Sequence, residues 1–345
     1  MTDRIARLRE SLQEPLLVSS EVNIRYLTGF ASSNAALLVD LDRTRLFTDF
    51  RYLDAAEAVP GVEVVETPRN LYTSLGALLP GSVGFESTHL SFERYELLRS
   101  AGVELVPRRR PVDTLRETKD EGELELIARA AAIADQAYER LSQERFVRRS
   151  ERELAWRMEI LFHELGASGP AFEIIVASGP NAALPHSRPT DRVVGPGETV
   201  IVDAGCTVGG YNSDGTRTFA TGPLPDELAH AYEVCRRAQQ TGLAAVRPGI
   251  VGGDVDATAR AVIEGEGLGE RFGHGLGHGV GLEVHEYPWL NPELEHVLAV
   301  GNVVTVEPGV YLPGLGGVRI EDLVVVREQG PEVLTGFTKE LVTVD

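Results

Sequence analysis

Cysteine is scarce in this chain. Its two thiols, Cys206 and Cys235, belong to no CxxC pair, which excludes a disulfide framework and a thiolate metal site and fits a reducing compartment. No run of ~18 apolar residues occurs, so nothing is expected to span a membrane. The opening MTDRIARLRE alternates charged and apolar residues and lacks a signal-peptide core, so a cytoplasmic location is expected. Positive charge is also short. Lys and Arg total 33 against 52 Asp and Glu, for a net charge of −19, which repels phosphate backbones and argues against a nucleic-acid partner. There is no P-loop, no Ser–His–Asp motif, no tandem repeat and no low-complexity segment. His285-Glu286 begins a zincin-like HExxH, but Pro288 and Trp289 follow where that helix would need to continue.

What remains is a chain of 345 residues, 43% apolar and 25% charged, long enough for two domains with ordinary cores. Short apolar runs at Pro15–Val18, Ala36–Val39 and Val62–Val65, with an amphipathic stretch at Arg51–Val59, give the first 112 residues an α/β pattern. Pro107-Arg-Arg-Arg-Pro111 reads as the region of the linker, and the boundaries expected are 1–112, a linker at 113–119, and a second domain at 120–345.

The second domain turns helical at once. Leu124, Ile127, Ala131, Ala134, Tyr138 and Leu141 recur at spacings of three and four, placing them on one helix face. Further helices are expected at 151–165, 225–246 and 254–264. Strands are expected at 174–177, 199–203, 211–220, 303–307 and 318–326. The strands carry most of the distinctive residues.

Asp203 ends one β-run, and Asp214 lies in another, across a Val208-Gly-Gly210 turn signal. A turn over 208–209 sets Asp203 opposite Asp214, whereas one over 209–210 sets Asp214 opposite Gly205. Either register brings two carboxylates together, and they repel unless a cation lies between them. Three of the eight histidines, His274, His278 and His285, fall within twelve positions, among the five glycines between Gly273 and Gly281, a composition for close backbone approach rather than helix. Glu307 ends an apolar strand, and Glu321 interrupts the run from Val318 to Val326. Acids inside buried strands need partners. Four carboxylates and one imidazole suit two divalent ions of the Mn²⁺, Co²⁺ or Fe²⁺ kind. A water bridging ions ~3.5 Å apart becomes hydroxide near neutral pH.

In VDAG, SDGTRTF, HGLGHGVGLEVHE, VEPGVY and GGVRIED, the second domain resembles the pita-bread metallopeptidases: prolidase, aminopeptidase P and methionine aminopeptidase. Asn23-Ile-Arg-Tyr-Leu-Thr-Gly29-Phe resembles the creatinase-type N-terminal domain of the proline-specific members. The resemblance implies an α+β fold with a pita-bread catalytic domain behind a smaller α/β domain. It implies two metal ions per chain, Mn²⁺ foremost with Co²⁺, Fe²⁺ or Zn²⁺ as alternatives. Asp203 would hold one ion, His278 and Glu307 the other, and Asp214 and Glu321 would bridge.

Further roles follow from the resemblance. Glu307 would shuttle the proton. His186, in NAALPH, and His285 would contact the scissile carbonyl and its oxyanion. Arg319 and Tyr211 would orient Asp203 and its neighbours, with His274 in a similar supporting role. The implied substrates are peptides with proline at the second position, and a homodimer is expected. Some microbial prolidases carry an arginine where Trp289 stands, able to pair with a dipeptide carboxylate. Its replacement leans the expectation toward an Xaa-Pro aminopeptidase, with Xaa-Pro dipeptidase as the alternative. A catalytically silent binding module of the same fold is a remoter reading, because the full ligand set is present.

Overall fold

The computed structural model describes residues 2–345, which fall into two compact units, 2–116 and 117–345. In chain order the first unit contains α1 (Thr2–Glu10), β1 (Leu16–Val18), α2 (Glu21–Thr28), β2 (Ala35–Val39), β3 (Thr44–Thr48), α3 (Leu53–Glu57) and β4 (Glu63–Glu66). It continues with α4 (Leu71–Leu75), β5 (Ser82–Glu86), α5 (Phe92–Ser100), β6 (Glu104–Arg108) and α6 (Asp113–Arg116). Its strands form one mixed sheet in the order β4-β3-β2-β1-β5-β6. The central strands β1 and β2 are buried on both faces, which is why they read as unbroken apolar runs rather than alternating ones. Leu17, Leu38, Phe47, Leu75 and Val83 anchor the core beneath.

The Pro107–Pro111 stretch is not the linker expected. Pro107 and Arg108 belong to β6 at the sheet edge, where a missing N–H costs no ladder bond. A turn of helix, α6, then occupies the start of the segment expected to be a plain linker.

The second unit holds α7 (Glu121–Ser142), α8 (Glu151–Glu164), β7 (Gly169–Pro170), β8 (Ile175–Ser178), β9 (Thr199–Asp203), β10 (Cys206–Val208), β11 (Tyr211–Asn212) and β12 (Thr216–Ala220). After them come α9 (Asp226–Ala245), α10 (Gly252–Gly265), β13 (Gly277–Gly279), β14 (Glu286–Leu290), β15 (Val303–Val306), β16 (Gly309–Leu312), β17 (Gly316–Arg319), β18 (Asp322–Arg327), β19 (Gly330–Val333) and β20 (Val342–Thr343). All six apolar positions of the 124–141 face are buried on α7. Asp120 and Ser150 start α7 and α8 through reciprocal capping boxes with Glu123 and Glu153, which satisfy donors that a helix start otherwise leaves open.

The unit is built twice over. α7 and α8 pack on the sheet β20-β12-β9-β8. α9 and α10 pack on the sheet β14-β13-β15-β18-β19 and the hairpin β16-β17. The two long β-runs expected are each broken, at 213–215 and at 320–321. Those breaks carry Asp214 and Glu321. Gly209 and Gly210, both with positive φ (58° and 88°), make the two-residue turn that pairs Val208 with Tyr211. The same register continues to Asp203 opposite Thr216, so Asp214 lies across from Gly205, the second of the two registers considered.

Candidate metal centre

Four strand ends meet at one place. Asp203 closes β9, Asp214 sits in the break before β12, His278 is the middle of β13, Glu307 follows β15, and Glu321 occupies the break between β17 and β18. Together with His186, His274, His285, Trp289 and Arg319 they line a cavity of about 270 Å³, partly walled by Phe172, Ile175 and Val284. The donors of Asp214, His278 and Glu321 lie within 4.8 Å of one another. His278 Nε2 is 3.3 Å from Glu307 Oε1 and 3.6 Å from Asp214 Oδ2.

The donor set suits metal. His278 Nδ1 lies 3.1 Å from the Gly279 carbonyl, which can only accept, so Nδ1 carries a proton. The other ring nitrogen, Nε2, faces the carboxylates of Glu307 and Asp214, and the space between them is one that a cation would fill. Asp203 Oδ1 is buried without a hydrogen-bond partner, although its other oxygen takes a 2.6 Å bond from Arg319 Nη2. Burial, and then the charges of their acidic neighbours, push the carboxyls of Asp214 and Glu321 well above the ordinary range. Burial also pushes Glu307 up, but the hydrogen bond and charge of His278 outweigh it and hold the carboxyl down to about 2. On His278, burial opposes the charge, and its pairing with Glu307 and Asp214 wins, raising the imidazole to about 9. Buried acids that raise one another's pKa are a site prepared for divalent charge.

Supporting bonds hold the donors in place. Thr216 Oγ1 donates to Glu321 Oε2 at 2.7 Å, and Thr305 Oγ1 is 3.2 Å from Glu307 Oε1. Arg319 also donates to Tyr311 Oη and the Pro185 carbonyl, both at 3.0 Å. Tyr311 in turn meets His274 Nε2 at 2.9 Å.

One expected residue is elsewhere. Tyr211 does not orient Asp203. Its hydroxyl donates to Glu123 at 2.7 Å, and its ring packs with Leu124, Ile127 and Val280 beneath the sheet. Residue 211 lies on β11, on the far side of the turn from β9, too early in the hairpin to reach the centre. Tyr311, in the VEPGVY stretch, does what was expected of Tyr211. The residue across from it is Gly317, a second glycine after Gly316 and the one signal in the sequence that a large ring needs room there. His186 and His285 both line the cavity and are exposed within it. Burial, followed by the charge of His278, pushes His285 down to about 4. Among the described residues a second acid–imidazole group, Glu86, His89 and Asp113, lies in the first unit. There Glu86 accepts the backbone N–H groups of Ser19 and Ser20 and the amide of Asn23, a structural role.

A two-domain fold with paired helix–sheet halves around a carboxylate–imidazole centre is the pita-bread architecture of metal-dependent peptidases. The sequence matches metallopeptidase family M24 over residues 125–328 and the creatinase/prolidase N-terminal domain over residues 4–118. The chain belongs to metallopeptidase family M24. It is 34% identical to the Xaa-Pro dipeptidase of Pyrococcus furiosus, covering 99% of this chain and 100% of that protein. Its fold superposes on the Xaa-Pro dipeptidase from Bacillus anthracis with a TM-score of 0.95 at 36% identity, over 99% of both chains. It also superposes on the X-Pro aminopeptidase from Thermotoga maritima MSB8 with a TM-score of 0.89 at 33% identity, over 98% of this chain and 100% of that one.

Proposed function

We propose that this chain is an Xaa-Pro dipeptidase that holds two divalent cations, with Mn²⁺ the best match to hard oxygen donors and one imidazole. The observation that carries the reading is the convergence of Asp203, Asp214, His278, Glu307 and Glu321 in a cavity with a largely apolar wall. End-to-end similarity to proteins named Xaa-Pro dipeptidase supports it and turns the choice away from the aminopeptidase that Trp289 suggested from sequence. Asp203 would hold one ion, His278 and Glu307 the other, with Asp214 and Glu321 shared. Bound there, the ions would polarise the scissile carbonyl and supply the nucleophile at neutral pH.

The protein groups do the rest. Glu307 takes a proton from the attacking water and delivers it to the departing proline nitrogen, which leaves as a secondary amine. His285, held neutral at pH 7, donates an N–H to the carbonyl oxygen as negative charge develops, and His186 approaches the same oxygen. Arg319 keeps Asp203 aimed through their 2.6 Å bond, and its charge opposes the burial that raises the Asp203 carboxyl. Phe172 and Trp289 offer flat apolar faces for a proline ring. An Xaa-Pro bond has no N–H to recognise, so a site that grips the carbonyl and the ring suits it.

A second reading, Xaa-Pro aminopeptidase, is favoured by the engagement of the arginines in and near the cavity. Arg319, the one arginine among the described residues lining the cavity, is already spent on Asp203, Tyr311 and Pro185. Arg188 is exposed and paired with Glu173. Comparing Ala-Pro with Ala-Pro-Ala on Mn²⁺-loaded enzyme decides between them. A dipeptidase turns over Ala-Pro with kcat/KM at least about tenfold higher, the worth of one charge-assisted carboxylate contact. The reverse order, with Trp289→Arg moving the ratio toward the dipeptide, establishes the aminopeptidase. Failure to cleave either peptide overturns both.

A further inference from the structure

Two of the chain's 33 basic residues are lysines, Lys119 and Lys339. Both pair with buried carboxylates, Lys119 with Glu286 and Lys339 with Asp322. Each of those carboxylates directly follows a cavity residue, His285 or Glu321. In so arginine-rich a chain, both ammonium groups therefore stand one residue behind the wall of the site. The Lys119–Glu286 pair is the more deeply buried, with side chains 1% and 8% exposed and Nζ 2.6 Å from Oε1.

Lys119 is firmly seated. Its N–H donates to the Gly301 carbonyl at 2.9 Å, and Asn302 Nδ2 donates to the Glu117 carbonyl at 2.9 Å. Residues 117–119 are thus laid along the turn that opens β15, and the ammonium reaches from there to the first residue of β14. A compact ammonium fits this place. It meets one carboxylate oxygen and the Glu117 carbonyl at 3.4 Å, too few acceptors for a five-donor guanidinium.

Glu286 opens β14 and closes the irregular stretch 281–285 that brings Val284 and His285 to the cavity. The other end is tied by Asn212, whose N–H donates to the Gly281 carbonyl at 2.9 Å and whose amide donates to the Leu282 carbonyl at 3.1 Å. His285 itself has no hydrogen-bond partner among the described residues. Its ring lies parallel to Trp289 (interplanar 3°, centroids 6.2 Å apart) and 4.3 Å from the ring of His278. The direction of this imidazole is therefore set by its backbone and the ring beside it.

We propose that Lys119 is a positioning residue: its ion pair with Glu286 fixes one end of the 281–285 stretch and so the angle at which His285 meets the substrate carbonyl. This rests on the Xaa-Pro peptidase reading for the role of His285 and for the assay substrate. Trp156 and Trp289 are the chain's two tryptophans, so in a Trp156→Phe background the emission comes from Trp289, which stacks on His285. Lys119→Met and the double variant Lys119→Met/Glu286→Gln are made in that background. Each is compared with its parent in Trp289 emission, melting temperature, bound metal, and kcat and KM for Ala-Pro, below its own melting transition.

Lys119→Met takes away the ammonium that Glu286 meets at 2.6 Å and melts lower, whereas the double variant also removes the buried negative charge and melts near the parent. Both keep their metal. In both, the emission shifts and kcat falls about tenfold or more while KM changes little, as expected of a misaimed group. A double variant with parental kcat overturns the proposal, because the pair is then a matter of stability alone. If Lys119→Met does not fold, the double variant carries the test. If the parent itself cleaves neither Ala-Pro nor Ala-Pro-Ala, the function reading fails separately, and the emission decides. A shift then supports the positioning role, and parental emission overturns it.

Discussion

Glu307 faces two demands at once. It sits close enough to His278 to share its charge, 3.3 Å away, and close enough to the cavity to meet a substrate. The hydrogen bond that holds its carboxyl down to about 2 keeps it ionised and ready to accept a proton across the physiological range. Glu307→Gln removes both a donor charge and that acceptor. Its kcat is expected to fall by about a thousandfold or more, measured on enzyme whose metal content is determined in parallel. His186 and His285 differ in kind, being placed to meet the carbonyl rather than the ions. His186→Ala and His285→Ala should each lower kcat by about 100-fold with metal retained, the cost of one oxyanion donor. Loss of metal from either variant would move that histidine into the ligand set. Arg319 was expected beside Asp203 from the resemblance alone, and its Nη2 lies 2.6 Å from the Asp203 carboxylate. Tyr311 was not, because a tyrosine near the end of a β-run reads as core until its hydroxyl is seen between Arg319 and His274.

The elements hold these side chains by close backbone approach. A Cβ on Gly277 would sit 2.0 Å from the Thr305 carbonyl oxygen, because β13 runs against β15 with no room between them. His278 is the next residue, and its N–H is held by Thr305 Oγ1 at 3.1 Å. Gly277→Ala should force β13 away from β15, costing about 3 kcal/mol in urea unfolding. It should also weaken metal binding, since His278 moves with the strand. Unchanged affinity, read by competition with a chelator, would show that the strand can shift without taking the imidazole along. Periodicity located the four long helices of the second unit to within two residues at each end, because a 3.6-residue apolar stripe over several turns has few other interpretations. The same reading ran β11 into β12 and β17 into β18. Alternation cannot register a break, and the acids there leave the strand for reasons that lie across the sheet.

Across the second unit, the two helix–sheet halves each supply part of one charge cluster. Asp203 and Asp214 come from the first half, and His278, Glu307 and Glu321 from the second. Divalent ions would then bind the halves together, and removing them should destabilise the fold. The pH dependence has a definite sign. Burial and acidic neighbours raise the carboxyls of Asp214 and Glu321. That contribution to metal-free stability is present below the unfolded carboxyl values of about 4 and is lost as pH rises through the folded ones. Chelated enzyme should therefore melt progressively below loaded enzyme as pH is raised from about 5 to about 8, with Mn²⁺ restoring the loss. A gap that is flat or narrows with pH, measured by calorimetry, would mean that these acids do not carry the effect.

The chemistry of this protein was readable along the chain because its donors have no other use. Carboxylates and an imidazole inside apolar strands are costly unless they serve a cation, and that cost is local enough to read from neighbours in sequence. Which register the Asp203 hairpin takes was left open between two choices, and the packing of Gly209-Gly210 settled it. Other matters belonged wholly to the fold. Tyr211 stands on the wrong side of its turn, Tyr311 and Thr216 close the network around Arg319, and Lys119 reaches Glu286 across 167 positions. Contacts between residues so far apart depend on how sheets stack and where a segment lies on a neighbouring turn. No periodicity or spacing in the sequence encodes those distances.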